Sequence, residues 1–388
     1  MLHLANPMRS PDRVDGEPAT RSAADDESPA VFHRGLPLYE PTPMVDAPGL
    51  AALLGVRAVL VKDEATRLGL PSFKILGASW ASANAVRDAW LDPATPLDLE
   101  ILAGAVARRA RAGRLVAATD GNHGRGVAWM ARHLGLSCDI LVPVGTTGPR
   151  IRGIESEGAR VTVVDGTYDD AIAASAALAD DDSIVVSDTS WEGYERTPRR
   201  VVEGYSTLFD EIDDQLTDRG ATRLDVVALQ AGVGAFAAAG LAHRWVDHPT
   251  TVVVEPSSAR CLMASAAQGV VTEVPGPHPS MMAGLNCGLP SLIAWPVVSA
   301  RTDHFIAIED DVVADAMTTL ADDGVVAGES GAAGAAGLLA LVRADPGLAA
   351  RVGLTARATV LVVNTEGATD PDNYAAVTGR TPRPPGDR

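Results

Sequence analysis

Short β-branched runs alternate with alanine-rich stretches of helical spacing along most of the chain. Short, mostly apolar or β-branched runs of four to six residues at 57–61, 115–118, 138–143 and 160–164 predict strands. Further runs at 183–186, 226–229, 251–254 and 359–363 predict the same. Between them, 75–90, 124–134, 168–178 and 235–245 carry apolar residues at helical spacing and predict helices. Strand–helix alternation of this kind favours parallel sheets covered by helices, an α/β fold in which ligands bind where strands end and helices begin. Residues 91–112 read as an insertion with an amphipathic segment at 97–108, and Pro277, Pro279 and Gly288 mark 276–290 as a loop.

Composition narrows the functional classes. A formal charge of −18 argues against nucleic acid as a partner, because phosphate binding needs clustered cations. No apolar stretch reaches the roughly 18 residues needed to span a bilayer, so no membrane role is expected. Residues 1–30 lack an apolar signal core and are expected to form a flexible arm, and 380–388 a disordered tail. Cys138, Cys261 and Cys287 are widely separated, with no spacing for zinc or a redox pair; no metal is expected, and a cytoplasmic setting is.

Only two lysines occur, Lys62 and Lys74, among 32 basic residues. Arginine cannot form a Schiff base with a carbonyl, so a surviving lysine at Ser72-Phe73-Lys74 is a candidate for covalent chemistry. Lys62 follows a strand and is expected to pair with neighbouring carboxylates. Thr119-Asp120-Gly121-Asn122-His123-Gly124 follows one strand and opens a helix, where amides attract a carboxylate or phosphate. The same segment also reads as an ordinary capped turn. Gln230-Ala231-Gly232-Val233-Gly234-Ala235-Phe236 joins another strand to a helix. Lacking the third glycine of a dinucleotide fingerprint, it suits a single terminal phosphate.

A Schiff-base lysine, an asparagine turn and a one-phosphate cradle, in that order, describe a pyridoxal 5′-phosphate site. The chain resembles the fold-type II pyridoxal-phosphate enzymes, the group of threonine dehydratase and the tryptophan synthase β-subunit. Within them it is similar to the diaminopropionate ammonia-lyases. Besides the three motifs, the matching segments are His33-Arg34-Gly35-Leu36-Pro37, Tyr39-Glu40-Pro41-Thr42-Pro43 and Lys62-Asp63-Glu64. Asp188-Thr189-Ser190-Trp191-Glu192-Gly193-Tyr194, Gly204-Tyr205-Ser206-Thr207-Leu208-Phe209, Met282-Ala283-Gly284-Leu285 and Asn364-Thr365-Glu366-Gly367 extend the match.

The resemblance implies two domains, each with a mainly parallel sheet flanked by helices. The large one would comprise 31–80 and 205–379, and the small inserted one 81–204. It implies that Lys74 forms the Schiff base and that Gly232, Val233, Gly234, Ala235 and Phe236 hold the phosphate. Asn122 would contact the cofactor's 3′ oxygen, Phe73 would pack near its ring, and Thr365 would face the pyridine nitrogen.

Asp120 stands where related dehydratases usually carry serine. It would take the α-proton from a D substrate and Lys74 from an L substrate, while Asp188 and Asp120 hold the β-ammonium. Tyr168 would line the substrate site. His123 would orient Asp120 or touch substrate carboxylate, or serve only as a structural hydrogen-bonder, and Trp191 and Tyr194 either shape the pocket or belong to the core.

The implied activity is elimination of ammonia from 2,3-diaminopropionate by a homodimer acting on a small amino acid. Serine or threonine dehydration, β-replacement, or cofactor binding without turnover remain the alternatives. Ser72 and Asn286-Cys287-Gly288 depart from the family pattern and leave the β-leaving group open.

Overall fold

A computed structural model of the chain describes residues 1–10, 27–119, 121–220, 223–246 and 248–382. The alternation legible in the sequence folds as β1 (Leu2–Ala5), α1 (Pro29–Arg34), β2 (Met44–Asp46), α2 (Pro48–Leu54) and β3 (Ala58–Asp63). Next come α3 (Lys74–Trp90), α4 (Leu99–Ala107), β4 (Arg114–Ala118), α5 (Asn122–Leu134) and β5 (Ser137–Pro143). They are followed by α6 (Gly148–Glu155), β6 (Arg160–Val164), α7 (Tyr168–Ala176), β7 (Ser183–Val185), α8 (Arg196–Gly204) and α9 (Ser206–Asp218). The next part holds β8 (Val226–Gln230), α10 (Ala235–Ala242), β9 (Thr250–Pro256), α11 (Cys261–Gln268), α12 (Trp295–Arg301) and β10 (His304–Ile308). Last come α13 (Asp310–Asp322), α14 (Ala333–Ala344), α15 (Pro346–Val352), β11 (Thr359–Asn364) and α16 (Pro371–Thr378).

Two compact units result. One comprises Met1–Pro18, Pro41–Thr66 and Leu208–Arg388, and holds a seven-stranded sheet in the order β1-β10-β9-β8-β11-β3-β2. Its five central strands run parallel, and only the edge pairs β1–β10 and β2–β3 are antiparallel. Alternate residues of the parallel strands share one face. Val59, Val61, Val226, Ala228, Val252, Val254, Ile306, Ile308, Val360 and Val362 form a single cluster with Met317, Leu320, Leu338 and Leu341 of α13 and α14. The opposite face carries Val227, Leu229, Val253, Phe305, Leu361 and Val363, equally buried, as parallel strands covered on both sides require.

The other unit comprises Ala19–Glu40 and Arg67–Thr207 and holds an all-parallel sheet in the order β6-β5-β4-β7. Helix α3 packs on it beside α5 and α8. Gly77 makes that crossing close: a side chain there would begin 2.5 Å from Tyr205 Cε1 and 2.7 Å from Val201 Cγ1.

The α/β expectation stands, and two expectations about boundaries are corrected. Residues 1–10 form an edge strand and its continuation rather than a flexible arm. Leu2 to Ala5 pair with β10, and the Asn6 amide donates to the Ser299 and Thr302 carbonyls at 2.7 Å. Residues 27–30 are also ordered, since the Ser28 hydroxyl caps α1. The remainder of the expected arm, 11–26, and 383–388 of the expected tail lie outside the described residues.

The division of the chain also differs: residues 31–40 and 67–80 group with the second unit. The reason is α3, whose buried face is committed to α5 and α8. His33 ties α1 to the same helix, its Nε2–H donating to the Leu76 carbonyl at 3.0 Å. Among the described residues no helix is long and apolar enough to cross a membrane.

Candidate active site

In the second unit, Lys74 is the first residue of α3. The Ser72 hydroxyl accepts its backbone N–H at 3.3 Å, and the preceding Phe73 ring packs on buried Tyr205 with centroids 4.6 Å apart. The backbone on which the amine is carried is therefore held from two sides. The Lys74 ammonium lies 2.9 Å from Asp188 Oδ2, and the Tyr168 hydroxyl, from the first turn of α7, donates to Oδ1 at 3.1 Å.

Burial is the largest influence on Asp188 and works against its charge. The charges of Lys74 and His123 and the hydrogen bonds from Lys74 and Tyr168 outweigh it, so the carboxyl is held well below the usual carboxylate range. A buried, ionised carboxylate next to a lysine amine is an arrangement suited to handling ammonium groups.

Asn122 opens α5 directly after β4. His123 is fully buried, and its Nε2–H donates to the Val186 carbonyl at 2.8 Å, two residues before Asp188. Asp120 lies outside the described residues. Trp191 and Tyr194 stack on each other with centroids 4.2 Å apart. The Tyr194 hydroxyl accepts from the Ser187 amide and donates to the Val185 carbonyl, bracing the strand end that carries Asp188.

The first unit carries the glycine turn. Gln230 ends β8 and Ala235 begins α10, with Gly234 between them at φ +98°. A side chain on Gly232 would begin 3.0 Å from Cys287 Sγ and 3.2 Å from Leu285 Cα, so a larger residue would have to push its neighbours aside. The Val233 carbonyl accepts from the Ser291 amide at 2.9 Å. Among the described residues no side chain caps α10, which suits its first turn to an anion. A tight turn with glycine at positive φ, leading into a helix that no described side chain caps, fits one phosphate group.

Thr365 follows β11 and is buried, its Oγ1 accepting from Gln230 Nε2 at 2.9 Å. Lys62 also belongs to this unit and is fully buried. It pairs with Glu211 at 2.7 Å and donates to the Thr42 carbonyl at 2.8 Å. The expectation that it pairs with carboxylates holds, one of them supplied by α9.

The residues thus fall into two sets. One unit brings together Lys74, Phe73, Asp188 and Tyr168, with His123 two residues' reach away through Val186. The other holds Gly232 to Phe236 and Thr365. Sequence reasoning missed Tyr205, which backs Phe73, and gave Gln230 no role. A glutamine at the end of an apolar strand, immediately before a glycine turn, was the available signal.

A family model described as "Pyridoxal-phosphate dependent enzyme" matches residues 36–366. The chain belongs to the pyridoxal-phosphate dependent enzymes. The lysine and the glycine turn present in this structure fit that cofactor's aldehyde and phosphate respectively. The chain is 38% identical over 360 residues to the diaminopropionate ammonia-lyase of Escherichia coli (strain K12), covering 89% of each chain. It falls within that branch of the family.

A crystal structure of the Escherichia coli diaminopropionate ammonia-lyase in complex with D-serine superposes with a TM-score of 0.87. It is 33% identical, and 97% of this chain and 96% of that one are covered. The same enzyme in complex with an aminoacrylate-PLP azomethine reaction intermediate gives a TM-score of 0.85 at 34% identity with the same coverage. Fold-type II architecture, anticipated from the motifs, is therefore the architecture of this family member.

Proposed function

We propose that this enzyme eliminates ammonia from 2,3-diaminopropionate, in the D form, the L form or both, and that the products are pyruvate and ammonia. The observation that carries the reading is the ion pair of Lys74 with buried, ionised Asp188, supported from behind by Tyr168. When bound, the cofactor supplies an aldehyde for the substrate amine and a ring that accepts the electron pair left by the α-proton.

Lys74 is the amine that holds the cofactor at rest and, once freed by substrate, takes the α-proton of the L form. Asp120 takes that of the D form. Asp188, holding one ammonium in this structure, holds the substrate's β-ammonium when Lys74 is otherwise engaged. That keeps the departing nitrogen protonated while the Cβ–N bond breaks, so the bond pair goes to nitrogen and it leaves directly as neutral ammonia. The unsaturated product then hydrolyses in water to pyruvate and a second ammonia.

Gly232, Val233, Gly234, Ala235 and Phe236 hold the phosphate through their amides, Asn122 the 3′ oxygen, and Phe73 flanks the ring. Thr365 faces the ring nitrogen. Tyr168 and His123 line the substrate side. The enzyme is a homodimer of the cytoplasm in this reading, following the family resemblance and the sparse cysteines.

The test is a pyruvate assay of the cofactor-loaded protein with D- and L-2,3-diaminopropionate and with D- and L-serine, which lack the β-ammonium. Asp188 predicts kcat/KM at least about tenfold higher for a diaminopropionate enantiomer than for either serine. Faster turnover of serine would overturn the substrate assignment.

A further inference from the structure

Gln230 is 1% exposed and ends β8 immediately before the phosphate turn. Its Nε2 lies 2.9 Å from both the Val363 carbonyl and Thr365 Oγ1, 3.1 Å from the Ser330 carbonyl and 3.2 Å from that of Gly331. Three of these four neighbours are carbonyl oxygens, which only accept. The nitrogen end of the amide must therefore face them, because the oxygen end would meet three like dipoles.

An amide nitrogen offers two hydrogens and no lone pair to a hydroxyl. Thr365 Oγ1 consequently receives a hydrogen from Gln230 and cannot return its own to that group. The Thr365 proton is left to point away from Gln230.

We propose that Gln230 is a positioning residue that fixes the direction of the Thr365 hydroxyl, so that Thr365 donates to the ring nitrogen of the bound cofactor and holds that nitrogen unprotonated. The inference rests on Thr365 facing the ring, as argued above. Without Gln230 the hydroxyl can turn and accept, and a protonated ring nitrogen becomes admissible. The consequence for this chain is that proton placement at the ring is set by a side chain that need not touch the cofactor. Its partners tie β8 to the Ser330–Gly331 segment and to the end of β11, so the amide cannot rotate away without breaking several bonds at once.

The experiment loads wild type, Gln230→Met and Thr365→Val with pyridoxal phosphate carrying 15N in its ring. The ring-nitrogen signal is followed from about pH 6 to 9, together with the cofactor dissociation constant. Wild type is expected to show an unprotonated nitrogen that does not titrate. Gln230→Met is expected to titrate within that range and to bind cofactor about 5–10-fold more weakly, the loss of one buried hydrogen bond. A purely structural role for Gln230 would weaken binding without moving the signal, and that result overturns the proposal.

If Thr365→Val moves the signal and Gln230→Met does not, the role of Gln230 alone is lost. If Thr365→Val leaves it unmoved, the placement of Thr365 and the proposal fall together. Should Gln230→Met not fold, Gln230→Asn gives the same readout, since it keeps an amide among the carbonyls and withdraws it from Thr365.

Discussion

Asp188 lies 2.9 Å from the Lys74 ammonium, although the two residues are 114 positions apart in the chain. Its other oxygen accepts from the Tyr168 hydroxyl, so each oxygen of the buried carboxylate has a donor. A group held this firmly in its charged form can exchange one ammonium for another without itself changing protonation.

Replacing Asp188 with asparagine removes the charge and keeps the shape. Charged hydrogen bonds are worth about 1.5–3 kcal/mol, so kcat/KM for diaminopropionate should fall by about 100-fold. Tyr168→Phe removes one neutral donor from the same carboxylate and should cost about 3–10-fold, with cofactor affinity unchanged. Steady-state kinetics with both variants check the order; equal losses would mean that Tyr168 has a separate role.

Glu255, at the end of β9, accepts the Leu262 and Met263 amides at 2.8 Å. Burial is the dominant influence and pushes its carboxyl up to about 8, against the pull of those two amides and of Arg260. The folded state therefore keeps a proton that the unfolded chain loses near pH 4. Between about pH 5 and 8 the unfolded state binds fewer protons, so stability falls as pH rises and levels off above about 8. Denaturant unfolding of wild type across that window should show the decline, at about 1 kcal/mol per pH unit or less. Glu255→Gln, less stable at pH 5 through the loss of one amide contact, should close the gap toward pH 8. A gap independent of pH would contradict the shift.

Gly77 is where α3 meets α8. Valine there would begin 2.5 Å from the Tyr205 ring and 2.7 Å from Val201, and overpacking of this kind costs about 1–3 kcal/mol. Because Tyr205 also backs Phe73, the variant should lose cofactor affinity as well as stability, read by denaturant unfolding and cofactor titration. Unchanged stability would mean that the helices separate freely.

Much of this was legible in the chain because strand runs and special turns are local signals. Val226–Leu229 is a short apolar run ending at a glycine-rich turn, and Gly234 holds a positive φ that side chains rarely adopt. The edge strand Leu2–Ala5 was not legible: four residues become a strand only because His304–Ile308, three hundred positions later, offers its edge. The same holds for the assignment of Lys74 to its unit, decided where Gly204 passes α3 near Leu76 and Gly77. The role of Gln230 is not legible in its motif, since its acceptors lie 100 to 135 positions away. Asp188 was found by its segment, but its pairing with Lys74 and Tyr168 is a product of folding.

The most direct measurement exploits the scarcity of lysine. Borohydride reduction of the cofactor-loaded enzyme fixes the cofactor to whichever amine holds it, and a digest read by mass spectrometry reports which one. The account predicts the label on Lys74 alone, since Lys62 is buried against Glu211, Gln215 and the Thr42 carbonyl. A label on Lys62, or a bound cofactor with no label on either lysine, would contradict it.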